Sequence, residues 1–145
     1  MNIAITASDT FVAPFILEML GKAAVVIPDE VIKDQMKLDA MLTPCNALIH
    51  INSRPVESSF ERDDRQTKLE MMNAARPILD AVDRHGSLHL IIIGTLRVHP
   101  QWEPGEPFYG LDSTLAPRDT AAEGQLWMEE NALDRANSEK PVSII

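Results

Sequence analysis

Gly94-Thr95 closes the apolar run Ile91-Ile92-Ile93, and the loop from Pro117 leads into a helix-patterned segment that carries Glu129. These two segments hold the side chains best placed for chemistry. A hydroxyl at a strand end orients a reacting oxygen, while a group on a facing helix moves the proton. Thr95 supplies the hydroxyl. The helix-patterned segment carries Ala121 and Gln125, and neither titrates. The only tyrosine, Tyr109, lies in the preceding loop.

The other reactive side chains are dispersed. His50, His85, His89 and His99 form no i, i+4 ligand pair, and neither Cys-x-x-Cys nor His-Glu-x-x-His occurs, so no metal site is expected. His50 falls in a predicted strand and reads as a satisfied core histidine. Cys45 has no local base and reads as a buried structural thiol. Glu123, Glu129 and Glu130 share one predicted helix and read as its capping box and wet face.

The chain has 145 residues, which predicts one domain over 1–145 with a single core. No apolar run approaches the roughly 18 residues that span a bilayer, and the N-terminus lacks the pattern of a signal peptide. A single cysteine excludes an internal disulfide and fits a cytoplasmic location. The net charge of −9 opposes nucleic-acid binding, which needs basic patches.

Strand and helix signals alternate along the chain. Asn2–Thr6, Ala23–Ile27, Ala47–Ile51, Leu88–Ile93 and Val142–Ile145 read as buried strands. Helices are predicted over Phe11–Leu20, Asp29–Leu42, Gln66–His85 and from Thr120 to about Ser138. Pro14 fits a first turn and Gly21 a C-cap. Pro77 is expected to kink or restart its helix. Thr120 and Glu123 have capping-box spacing. The alternation predicts an α/β, three-layer Rossmann-like domain of about five parallel strands with helices on both faces.

Several segments, in this order, resemble the nucleotide-binding half of the extended short-chain dehydrogenase/reductase family, the NAD-dependent epimerase/dehydratase group. Asn46-Ala47-Leu48-Ile49-His50-Ile51 is similar to the family's Asp-Ala-Val-Ile-His-Leu strand. The run Ile91 to Pro100 resembles the strand that ends in Ser-Ser and continues to Val-Tyr-Gly. Leu111 to Pro117 resembles the acidic loop before the catalytic helix, and Gln125-Leu126-Trp127-Met128-Glu129 falls where the family has Lys-x-x-x-Glu.

The resemblance implies a dinucleotide cofactor, NAD or NADP, held near Ala7, Thr10, Phe11, Val12, Asp29, His50, Ile51, Asn52, Gly94 and Gln125. Departures from the family pattern weaken that expectation. Ala7, Thr10 and Ala13 replace the three glycines of the first turn, which let backbone amides approach a pyrophosphate. Asp9 adds negative charge there. Binding is therefore expected to be weak or absent. Asp29 reads either as the ribose-binding acid or as a helix cap, and the cap is favoured.

By the same register Thr95 keeps the family hydroxyl, while Ala121 and Gln125 replace the catalytic Tyr and Lys. Tyr109 would have to swing in from its loop to serve. Against the family pattern, one βα unit before Ala47–Ile51 is expected to be missing or collapsed, and the family's C-terminal substrate-binding region is expected to be lacking. The resemblance further implies pairing, as homodimer or heteromer, through helices 66–85 and 120–138. Trp127, Met128, Leu126, Leu133, Met71 and Met72 supply apolar surface there. The expected function is a non-catalytic accessory or regulatory protein. Two other readings are an NAD(P)-dependent oxidoreductase or epimerase with an unrecognised acid, and a dinucleotide-binding sensor.

Overall fold

The computed structural model describes residues 1–6, 10–51, 64–101, 104 and 113–145. Its strands are β1 (Ile3–Ile5), β2 (Ala24–Val26), β3 (Ala47–Ile51), β4 (His89–Ile93) and β5 (Val142–Ile144). Its helices are α1 (Ala13–Leu20), α2 (Asp29–Ile32), α3 (Gln35–Leu42), α4 (Asp64–Arg84) and α5 (Thr120–Arg135). The sheet runs β2-β1-β3-β4-β5 and every pairing is parallel. This is the expected Rossmann-like α/β architecture.

Strand chemistry explains the order. Every residue of β3 is buried, as a strand covered on both faces must be, and its Ala-Leu-Ile-His-Ile run shows no polar alternation. One face of the sheet presents Ala4, Leu48, Leu90 and Ile92 to Leu38 and Leu42 of α3, Ile78 and Leu79 of α4 and Met128 of α5. The opposite face presents Ile5, Ile49 and Ile51 to Ala13 and Ile16 of α1. Three helices thus cover one side and α1 covers the other.

Helices α4 and α5 lie side by side. A β-carbon placed on Gly124 would stand 2.9 Å from Met71 Cβ, so the absence of a side chain there sets how closely the helices approach. Lys68 pairs with Glu123 at 2.7 Å, Arg135 with Asp83 at 3.0 Å, and the Arg76 guanidinium lies 5.8 Å from the centre of the Trp127 ring. Each partly exposed ion pair is worth about 0–1 kcal/mol, so apolar packing holds the helices together.

Several boundaries differ from those the sequence predicts. The helix expected over Asp29–Leu42 is two helices, because Asp34 adopts an extended conformation and caps α3 through the Lys37 amide at 3.2 Å. Asp29 is not a cap: Pro28 occupies that position and Asp29 opens α2, where its charge complements the helix dipole. The cap of α5 is Asp119, accepting from the Ala122 amide at 2.8 Å, and Glu123 turns to Lys68 instead of closing a capping box with Thr120. Helix α4 continues through Pro77. Gly21 closes α1 with φ 53°, as its lack of a Cβ permits.

Asp119 also pairs with Arg97, tying α5 to the 3₁₀ turn Leu96–Val98. Asp119→Ala is expected to cost about 1 kcal/mol in urea unfolding. Asp119→Asn keeps a capping oxygen and should lose only the ion pair, which is worth less. Equal losses in the two variants would refute the capping role.

Candidate functional site

In an open parallel sheet the ligand crevice lies outside the carboxyl ends of the strands, where the strand order reverses. Here β1 pairs with β2 on one side and β3 on the other, so the reversal falls between β1 and β3. Thr6 follows β1 and His50 stands near the end of β3. The Thr6 hydroxyl meets His50 Nδ1 at 2.8 Å, and the Ile51 amide donates to Thr6 Oγ1 at 3.3 Å.

Thr6 Oγ1 accepts from the Ile51 amide and shares a hydrogen with His50 Nδ1, which holds the ring in place at the end of β3. His50 Nε2 is buried and has no hydrogen-bond partner among the described residues. A buried polar nitrogen left without a partner costs about 1–3 kcal/mol. Burial also pushes the His50 pKa down to about 4, because the charged ring would be stripped of water. The expectation of a fully satisfied core histidine is therefore half met.

A second cluster lies at the end of β4. Gln125 is buried and donates to Glu129 Oε1 at 2.6 Å. The same oxygen would stand 3.1 Å from a β-carbon on Gly94, so glycine leaves room for the carboxyl. Burial raises the Glu129 pKa, against the Gln125 hydrogen bond and the nearby His99, which lower it. Ala121 is also buried. Thr95 is half-buried, and its Oγ1 accepts from the Arg97 amide at 3.3 Å.

Gly94 and Gln125 thus share one cluster, with Glu129 between them. His50 and Ile51 share the other with Thr6. Thr10, Phe11 and Val12 precede α1, while Asp29 is exposed at the start of α2. Ala7, Asn52 and Tyr109 lie outside the described residues. Two residues escape sequence reasoning. Thr6 is legible only once the strands are aligned, since Ile5 faces Ile49 and the next pair is Thr6 with His50. Glu129 does not belong to a wet face, since it is 7% exposed; its signal is the i, i+4 spacing from Gln125. Cys45 is half-buried and donates to the Met41 carbonyl at 3.4 Å, and desolvation raises its pKa. Among the described residues no three His, Cys, Asp or Glu side chains gather into a metal-binding group.

The strand order and crevice define the class: a parallel, Rossmann-like α/β fold. No family model and no curated protein matches the sequence. Solved structures do match the fold. UDP-glucose 4-epimerase of Thermus thermophilus, in complex with NAD, aligns over 99% of this chain and 54% of its own at 14% identity, with a TM-score of 0.81. A short-chain dehydrogenase/reductase superfamily protein of Agrobacterium tumefaciens, with bound NAD, aligns over 99% and 48% at 17% identity and 0.77. UDP-glucuronic acid 4-epimerase of Bacillus cereus, in complex with UDP-glucuronic acid and NAD, aligns over 99% and 55% at 15% identity and 0.76. The chain therefore has the fold of the extended short-chain dehydrogenase/reductase structures, the NAD-dependent epimerase/dehydratase group, and spans about half their length. No helix among the described residues is long and apolar enough to cross a membrane.

Proposed function

We propose that this chain is a degenerate epimerase/dehydratase-type protein that acts as an accessory or regulatory subunit without moving protons itself. One observation carries the reading. Where the resembling enzymes place Tyr and Lys one helical turn apart, α5 holds Ala121 and Gln125, both buried, with the Gln125 amide engaged by Glu129. Neither residue donates a proton or lowers a neighbour's pKa through positive charge. The alanines and Thr10 in the first turn weaken the grip on a pyrophosphate, so any NAD or NADP is held loosely. The outer sides of α4 and α5, where Leu69 and Leu133 are exposed and Met72 half-buried, are the surface offered to a catalytically complete relative. Met71 and Met128 take no part in it, because both are buried in this chain's own core.

Fluorescence titration with NADH and NADPH tests the proposal. Dissociation constants weaker than about 100 μM, roughly −5.5 kcal/mol, are expected, with no turnover of either cofactor. Tighter binding with turnover would overturn it. One observation favours a second reading: burial raises the pKa of Glu129, whose carboxyl stands against Gly94 beside Thr95, so it keeps a proton more readily than an exposed carboxyl. In that case the chain is an oxidoreductase or epimerase, and both Glu129→Gln and Thr95→Ala abolish measured turnover.

A further inference from the structure

We propose that the outer face of α1 is a self-association surface, docking a second copy of this chain across a two-fold axis. Phe11 and Val12 also belong to the turn expected near a dinucleotide, so Phe15 and Met19, farther along α1, separate self-association from cofactor binding. Phe15 and Met19 stand four residues apart on one face of α1, and Phe11, in the bend before the helix, extends that patch through its ring contact with Phe15. Phe11, Phe15 and Met19 are 85%, 58% and 79% exposed, and Val12 beside them is 40% exposed. The two phenyl rings meet edge to face with centroids 5.7 Å apart, so the patch is partly ordered before any partner arrives. The neighbouring β2 is the outer edge of the sheet, where Val26 is exposed as well.

Area and symmetry decide the occupant. The exposed parts of these four side chains amount to about 500 Å² per copy, so a pair of copies removes about 1,000 Å² from water, the floor for a specific interface. A two-fold axis places α1 antiparallel to its mate, with Phe15 against Phe15 and Phe11 against Met19, so one patch serves as both halves. The faces of α4 and α5 offer less, since Met71 and Met128 are buried and only Leu69 and Leu133 stand out. Each copy carries a net charge of −9, so long-range repulsion opposes the association and added salt tightens it.

Sedimentation velocity from about 1 to 100 μM reads the result directly. The wild type is expected to dimerise across that range. Phe15→Glu should weaken the dimer at least tenfold, while Leu133→Glu leaves it unchanged. Phe11→Glu and Met19→Lys should each weaken it, and the double variant should recover, because the new charges oppose each other across the axis. Circular dichroism confirms that the variants, all at exposed positions, remain folded. A wild type that stays monomeric, a Phe15→Glu dimer as tight as wild type, or a dimer lost only through Leu133→Glu would overturn the proposal. Failure here leaves the cofactor titration untouched, so the two conclusions fail separately.

Discussion

Between pH 6.5 and about 4 this protein is expected to lose about 3 kcal/mol of stability through His50 alone. In the unfolded chain the imidazole takes up a proton near pH 6.5. In the folded chain burial holds it neutral until about pH 4. The unfolded state therefore binds more protons in this window, and acid favours it. Above pH 6.5 the contribution is fully present; it falls as pH drops and levels off below about 4. Glu129 acts in the opposite sense, because its folded pKa is raised and its protonation favours the folded state. The carboxyls of Asp34 and Asp39, lowered by Lys37 and Arg84 respectively, lose their contributions only at lower pH. His50→Asn retains an acceptor near Thr6 and cannot titrate. Denaturant unfolding of wild type and variant across this range isolates the histidine as the difference between two curves. Parallel curves would rule out a neutral buried ring.

Gly124→Leu is expected to cost about 2–3 kcal/mol and to lower Tm by roughly 5–10 °C. Even the first carbon of a side chain at this position meets Met71 Cβ at 2.9 Å and Met71 Sδ at 3.3 Å, so α4 and α5 must separate to admit leucine. Gly124→Ala is milder, since a gain of about 1 kcal/mol in helix propensity offsets part of the crowding. The companion measurement is Met71→Ala. Alone it leaves a cavity and costs about 2–5 kcal/mol; with Gly124→Leu it vacates space for the new side chain. The two changes should therefore couple by about 1 kcal/mol or more. Strict additivity would mean that this contact does not set the helix separation.

The fold is legible where burial alone decides conformation. Ala47–Ile51 is apolar enough to be covered on both faces, and the strand begins and ends where that apolar run does. The shorter strands and helix ends are less legible. Asp34 breaks a helix by accepting from a backbone amide three residues on, and the apolar spacing of Val31, Ile32, Met36 and Leu38 continues across the break without registering it. The site is legible in part: Ala121 and Gln125 are named in the sequence by side-chain type, and the structure finds both buried on α5. The rest is hidden. The Thr6–His50 contact joins residues 44 apart, and nothing in either segment alone names the other. Glu129 looks solvated in the sequence because charged residues usually are, and only the proximity of Gly94 reveals the space that receives it.

The all-parallel sheet has a temporal consequence. No two of its strands join through a tight hairpin, so every pairing waits for an intervening crossover to be made. Strand β1 emerges first during synthesis, yet its central neighbour follows only after 44 more residues, at Ala47 opposite Ile3. Until then β1 has only the three-residue β2 to pair with, and the apolar side of α1 has no completed sheet to cover. The β1–β3 pairing thus closes 44 residues and the β3–β4 pairing 42, so the centre of the sheet is joined by non-local contacts alone, the kind that form slowly.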